Sequence, residues 1–368
     1  MAKVFIGIPT LNRPDLVLET IDSVRHQTFN DYRVIVSDDR SDGDAADRVE
    51  RYVAGLGDRR FAFHRQPGRT GEYQQGRFLF AASENEQFFM ILHDDDVLDP
   101  EYVAEGVRAL EDHPAASLFV ANPYIMDGAG TPNPQQTSQY LRIFGRNEAS
   151  EGLFDVLAMH LMCGFAPISG TFFRRSALDA SGFVDEDGRG NFPFESDIFL
   201  RLGDIGAKGW FGPRELLGFR YHQASIRNTV IGDPHVVWAT LGLFARRRFS
   251  GPLERRRRAV VSRLLRADAL IKLREGDVSG CRAGLLQALR ENPRSCKAWG
   301  LFPFVLLSPR LFRAVMPPIS MANTFGGDLS PGWRPGFVPA PPLPGFGSAG
   351  RRPPTAGEIG AASDRATG

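Results

Sequence analysis

Three consecutive carboxylates, Asp94, Asp95 and Asp96, follow the apolar run 88–92 and His93, and precede Val97-Leu98-Asp99-Pro100. An apolar run of that length has the signature of a buried strand, so the triplet falls where the strand would leave its sheet. Carboxylates crowded at one sheet edge repel one another unless a cation shares the space. Hard divalent ions prefer oxygen ligands, and Mg²⁺ is usually held by one or two carboxylates together with substrate phosphates. The triplet therefore points to a metal–diphosphate site for Mg²⁺ or Mn²⁺. The plainer alternative, a solvated acidic turn, sits poorly behind a five-residue apolar strand.

Other groups able to do chemistry stand behind similar runs. Pro9-Thr10-Leu11-Asn12-Arg13 follows the run 4–8, and Ser37-Asp38-Asp39-Arg40-Ser41-Asp42-Gly43 ends the run 32–37. An ionised carboxylate only accepts hydrogen bonds, so Asp38 and Asp39 suit the N–H of a base as well as a helix cap. Glu195 and Asp197 lie in Phe194-Glu195-Ser196-Asp197-Ile198-Phe199-Leu200-Arg201, at an expected helix start. A carboxylate there can take a proton from a hydroxyl or simply favour the positive end of the helix dipole.

The elements that must position these groups show in the apolar pattern. Runs 4–8, 32–37, 60–64 and 88–92 recur with helical stretches between them. Asn12 stands near a cap, Pro14 in a first turn, and Val17, Leu18, Ile21 and Val24 keep helical spacing. Such alternation implies an α/β fold, a Rossmann-like, mainly parallel sheet flanked by helices, with ligands at the carboxyl ends of the strands. Beyond it, 168–173 and 216–221 read as strands and 196–205 as a helix. From Asp233 to about Val315 the chain turns helical, a C-terminal appendage in which Val260, Val261, Leu264, Leu265 and Ile271 share one side. The expected organisation is therefore 1–232 as an α/β domain, 233–324 as a basic helical region, and 325–368 as a tail. That tail holds 8 Pro and 10 Gly without a collagen period, a composition expected to be disordered.

Bulk properties narrow the class. Hydrophobic residues make up 42% and charged residues 24% of the 368 positions, as in soluble globular proteins. Cys163, Cys281 and Cys296 are too few and too scattered for a zinc site or a disulfide framework, so a reducing cytoplasm is expected. The N-terminus reads as a first strand rather than a signal peptide, and no apolar run is long enough to span a bilayer. The net charge of +1 conceals an asymmetry: residues 246–313 carry 17 Lys/Arg against 5 Asp/Glu, which leaves the remainder acidic. Arg246-Arg247-Arg248 and Arg255-Arg256-Arg257-Arg258 suit anionic lipid headgroups, giving an expectation of peripheral membrane association; a packed appendage with a solvated basic face is the alternative. Nucleic acid is not expected, because no recognition motif accompanies the charge.

The order and wording of the strand-end motifs resemble glycosyltransferase family 2 over roughly residues 3–225. The resemblance implies the GT-A fold and transfer of a sugar, with inversion, from a nucleotide-diphosphate donor, UDP- or dTDP-linked. It implies that Pro9, Thr10, Asn12 and Arg13 form the nucleotide-contacting first loop. It implies also that Asp38 or Asp39 accepts a hydrogen bond from the base. Gly68-Arg69-Thr70-Gly71-Glu72-Tyr73-Gln74-Gln75-Gly76-Arg77 is similar to the family's next loop and helix, with Gln75 and either Arg69 or Arg77 as the nearest equivalents. The Asp triplet resembles the DxD-type metal motif, Asp95 matching the direct ligand with Asp94 and Asp96 in support. Relatives often have Asp where His93 stands, so the ribose contact falls to His93 or Asp94.

Glu195 occupies the position of the family's general base, where Asp is commoner, with Asp197 as the fallback. Phe219-Arg220-Tyr221-His222-Gln223-Ala224-Ser225 resembles a Tyr-Arg-x-His-x-x-Ser ending, which would bring His222 to the metal or diphosphate. Gly170-Thr171 is similar to the acceptor-side strand. Trp210 could stack on a sugar, although a place in the core is the expected one. The implied acceptor is a glycan, a lipid-linked glycan or a small molecule. A pyrophosphorylase or a Rossmann dehydrogenase would need a Gly-rich loop after the first strand, which Pro9-Thr10-Leu11-Asn12-Arg13 does not provide. The non-enzymatic alternative is a nucleotide-sugar-binding or scaffold protein with a retired GT-A site.

Overall fold

The computed structural model describes residues 2–83, 85–164, 166–185, 191–221 and 234–315. His222 and the Pro/Gly-rich segment 325–368 lie outside the described residues. The first half alternates as expected: β1 (Val4–Thr10), α1 (Pro14–Arg25), β2 (Tyr32–Asp38), α2 (Ala45–Gly55), β3 (Phe61–Arg65), α3 (Gly71–Ala82) and β4 (Phe88–Ile91). There follow β5 (Val97–Leu98), α4 (Tyr102–Asp112), β6 (Ala116–Met126), α5 (Pro134–Ile143), β7 (Gly152–Asp155), α6 (Val156–Cys163), β8 (Phe172–Arg174), α7 (Arg175–Ser181), α8 (Asn191–Asp204) and β9 (Lys208–Arg220). The C-terminal helices are α9 (Pro234–Ala245), α10 (Gly251–Glu275), α11 (Val278–Glu291), α12 (Cys296–Leu307) and α13 (Pro309–Val315).

Local chemistry explains the first helix. Pro14 opens α1 where its missing N–H costs nothing, and Val17, Thr20, Ile21 and Val24 bury one face at helical spacing. Among the described residues one sheet runs in the order β3-β2-β1-β4-β8-β6-β9-β5, with β7 also paired to β9. Parallel pairing holds from β3 to β4. Past β4 the sheet is mixed: β8 is antiparallel to both β4 and β6, whereas β6 and β9 are parallel. This arrangement has a functional consequence. The carboxyl ends of β1, β2, β4 and β9 and the chain entering β8 all meet at one edge.

The core on one side of the sheet is rich in phenylalanine, with Phe5, Phe89, Phe173, Phe183, Phe194, Phe199 and Phe211 buried together. A second cluster joins Leu161 of α6 and Leu200 of α8 to Val237, Phe244, Val261, Leu264 and Ala288 of the C-terminal helices. The helical region is therefore docked on the α/β layer through shared apolar burial, where each fully buried aliphatic side chain is worth about 1.5–3 kcal/mol.

Several of its arginines are paired internally, while Arg248 and Arg255 stay exposed. Arg246 pairs with Asp185 at 3.3 Å, Arg247 with Asp204 at 2.8 Å and Arg258 with Glu291 at 3.3 Å. Arg257 is buried against Glu254 at 2.7 Å, and Arg256 donates to the Leu161 carbonyl at 2.8 Å. No described helix is long and apolar enough to cross a membrane.

Candidate active site

The site is assembled where β1 and β4 end side by side. Thr10, the last residue of β1, donates from Oγ1 to Asp94 Oδ2 at 2.8 Å, and the Leu11 N–H approaches the same oxygen at 3.4 Å. Arg13 reaches across from the start of α1, its Nη1 lying 3.2 Å from Asp94 Oδ1 and 2.9 Å from Asp95 Oδ2. One guanidinium thus bridges two adjacent carboxylates. Asn12 makes that reach possible with a left-handed backbone (φ 57°), a conformation Asn tolerates better than most residues. Its amide is held by the neighbouring strand end: the Asn12 N–H donates to Ser41 Oγ at 2.8 Å and Nδ2 to Asp42 Oδ2 at 2.9 Å.

Asp96 turns inward and is buried. Its Oδ2 accepts from Ser169 Oγ at 2.5 Å, its Oδ1 from the Arg220 N–H at 3.0 Å, and its carbonyl from Thr20 Oγ1 at 2.8 Å. Burial, reinforced by Asp95 beside it, pushes the Asp96 carboxyl up to about 7. Burial also raises Asp94, against the pull of Arg13. Burial alone would lower His93, yet the Glu72 carboxylate at 3.5 Å, with Asp96 and Asp95, outweighs it and raises the imidazole to about 10. Both trends express one fact: the cluster is short of positive charge. One ligand atom from each of His93, Asp95 and Asp96 lies within 4.8 Å of the others. Two carboxylates and an imidazole at that spacing suit a divalent ion.

Sequence reasoning did not assign roles to Thr20, Ser169, Glu72 or Arg220. Arg220 is buried and donates to the Asp95 carbonyl at 2.8 Å, the Gly128 carbonyl at 3.1 Å and Glu19 at 2.5 Å. Its signal was available, since it is a charged residue directly after the apolar run 216–219. Ser169 carries no signal beyond its place before Gly170-Thr171, the segment that the structure uses to brace the acidic cluster.

The second strand end supplies both members of the acidic pair. Asp38 is buried and accepts from Ser41 N at 2.9 Å and Ser41 Oγ at 2.5 Å. Asp39 caps α3, taking Thr70 N and Oγ1 at 2.7 Å each and Gly71 N at 2.9 Å. Arg69 is exposed and paired with Asp42. Gln75 is buried in α3, with an amide oxygen that has no hydrogen-bond partner among the described residues. Arg77 lies half-buried farther along the same helix.

Residues 5–180 match the description Glycosyl transferase family 2. That segment is similar to the family over its whole length. Among solved structures, S. aureus TarS superposes with a TM-score of 0.56 at 13% identity, over 84% of this chain and 54% of that one. Residues 1–349 of the same protein in complex with UDP-GlcNAc give 0.59 at 13% identity, over 83% and 87%. Its complex with UDP gives 0.53 at 12% identity, over 85% and 87%. This chain therefore spans only 54% of the first of these structures. At such identities the likeness establishes the fold, which is GT-A.

Helix α3 connects the triplet to α8, which lies beyond the matched segment. Glu72 faces His93, and the next residue, Tyr73, packs its ring edge-on against Phe194 at 5.3 Å. Glu195 follows Phe194 and is half-buried. Asp197 is fully buried and committed elsewhere: it accepts from the Asp185 N–H at 2.7 Å and from Arg201 Nε at 2.9 Å. Trp210 takes the core alternative. It is buried in β9 with its ring covered by His113 at 3.3 Å, as expected of a core residue.

Proposed function

We propose that the protein is an inverting glycosyltransferase that moves a sugar from a nucleotide-diphosphate donor to an acceptor hydroxyl. The observation that carries this reading is the meeting of Thr10, Arg13, Asp94, Asp95 and His93 at one sheet edge of a family 2-like domain. Asp95 and Asp96, with His93, would hold Mg²⁺ or Mn²⁺, and Asp94 would orient the set through Thr10. Bound there, the ion would neutralise the diphosphate as negative charge accumulates on the leaving group. Arg13, already bridging two carboxylates, has the reach and the planar donor fork to engage a phosphate oxygen. Asp38 or Asp39 would receive the base: each Asp38 oxygen and Asp39 Oδ2 accepts a single internal bond and keeps lone-pair capacity, whereas Asp39 Oδ1 already accepts two. Uracil is the preferred base; the UDP complexes of the structurally similar TarS support it.

Glu195 would accept the acceptor's proton. Asp197 is the weaker candidate for that role because both its oxygens are engaged inside the fold. Residues 1–232 would form the catalytic unit and 233–324 a helical buttress, in a cytoplasmic protein whose acceptor is a glycan, a lipid-linked glycan or a small molecule. The test is hydrolysis of a panel of nucleotide sugars by purified protein with Mn²⁺, together with calorimetry of UDP binding. Consumption of a UDP- or dTDP-linked sugar, and loss of Mn²⁺-dependent UDP binding in Asp95→Ala, are the expected results. Nucleotide binding with no turnover of any donor or acceptor would favour a retired site instead.

A further inference from the structure

The arginine runs 246–248 and 255–258 are largely spent on internal partners, so they are a poor surface for a membrane. The bare apolar surface lies elsewhere, on α12 and α13. One side of this pair is anchored: Val305 is buried, and Leu301, Phe302 and Phe312 pack against Leu273, Cys281 and Leu285. Arg282 fastens the end of α12 by donating to the Val305 and Leu306 carbonyls at 3.3 Å. The other side meets solvent with large apolar groups, Trp299 at 57% exposure, Phe304 at 58%, Leu307 at 83% and Leu311 at 67%. Phe304 and Leu307 are three apart on α12, the spacing of neighbours on a helical surface, and Leu311 stands in the first turn of α13 just past the break at Ser308. Throughout residues 292–315 the charged side chains are Arg294, Lys297, Arg310 and Arg313, with no Asp or Glu.

We propose that the α12–α13 face docks on a membrane surface containing anionic lipid, independently of how the sugar-transfer reading fares. Trp299, Phe304, Leu307 and Leu311 would enter the boundary between headgroups and acyl chains, while the four cations meet lipid phosphates. Large apolar side chains beside an exclusively basic set are the composition of an interfacial helix. Charge argues against the two other occupants. A second copy meeting this face about a two-fold axis would set cations against cations. The chain's own segment 316–368 holds Asp328, Glu358 and Asp364 against Arg334, Arg351, Arg352 and Arg365, so it brings no net negative charge.

The experiment is co-sedimentation of the full chain with vesicles of phosphatidylcholine alone and of phosphatidylcholine mixed with phosphatidylglycerol. Binding is expected on the mixed vesicles and should fall as salt is raised. Leu307→Glu with Leu311→Glu, and separately Arg310→Glu with Arg313→Glu, should each weaken partitioning by about tenfold or more. All four side chains are exposed, so the melting curve should not move, which separates lost docking from lost folding. Absence of binding to the mixed vesicles, equal binding to both kinds, or undiminished binding by the variants would overturn the proposal. So would a concentration-dependent oligomer that the leucine variant dissociates while vesicle binding is absent.

Discussion

Glu195 and Asp197 are two residues apart on one helix, yet their surroundings predict different consequences when each is altered. Glu195 is half-buried beside the α3–α8 contact. Glu195→Gln should therefore leave UDP binding intact and lower transfer by on the order of 10²–10⁴, the usual weight of a positioned acid or base. Single-turnover rates and calorimetry on the same variant check both halves. Asp197 holds the Asp185 amide and the Arg201 guanidinium inside the protein. Asp197→Asn should instead cost about 1.5–3 kcal/mol of stability, the range for hydrogen bonds to a charged group, measured by denaturant titration. Full transfer by Glu195→Gln would move the base elsewhere. At this scale the sequence exposed the residues whose chemistry coincides with a strand end: Thr10, Arg13, Asp38 and the Asp triplet. It hid Ser169 and Thr20, because a hydroxyl that braces a carboxylate through the fold looks like any other hydroxyl in a linear chain.

At the scale of elements, α3 links the acidic triplet to the helix that carries Glu195. Gly76 lets α8 approach: a Cβ there would come within 2.3 Å of the Phe194 ring. Gly76→Ala should thus push Phe194, and Glu195 with it, away from the sheet edge. Overpacking of this kind costs about 1–3 kcal/mol; kcat should fall while the affinity for UDP is kept, a split that steady-state kinetics reads directly. In α6, His160 has an Nδ1 that is shielded from solvent and without a hydrogen-bond partner among the described residues, and its ring stacks on Phe199 at 5.2 Å. Burial lowers its pKa to about 4. Above the unfolded value of about 6.5 neither state is protonated and the group is silent. As pH falls from there toward 4 the unfolded chain takes the proton first, so about 2–3 kcal/mol of stability is lost across that window. His160→Phe should flatten melting temperature against pH over the same range; an unchanged slope would assign it to other groups. The first four strands and α1 were legible because their apolar periods are regular. Of the expected strand 168–173 only Phe172–Arg174 forms, since Gly170 is left-handed (φ 76°) and Ser169 turns to the acidic cluster. Strand β9 is longer than its apolar run 216–221, because it carries register shifts and a Gly-Pro pair that mask its period.

For the whole molecule, the division of labour between an acidic α/β half and a basic helical half is a matter of composition, whereas their union is a matter of contacts. A linear count of charge finds the arginines of 246–258 but not Asp185, Asp204 and Glu291, which neutralise three of them from elsewhere in the chain. The same holds for the apolar cluster that links Leu161 and Leu200 to Val237, Val261 and Leu264, residues far apart in sequence and adjacent only after folding. A core shared in this way should make the two regions unfold together. Leu264, fully buried at its centre, is the place to test it: Leu264→Ala removes the side chain that the second cluster closes around, and a cavity there should cost about 2–5 kcal/mol. The observable is the shape of the calorimetric transition as well as its midpoint. One transition in the parent chain, shifted down as a unit in the variant, is expected for a common core. Two transitions, with only one moved by Leu264→Ala, would mean that the helical region is a separate body resting against the α/β domain.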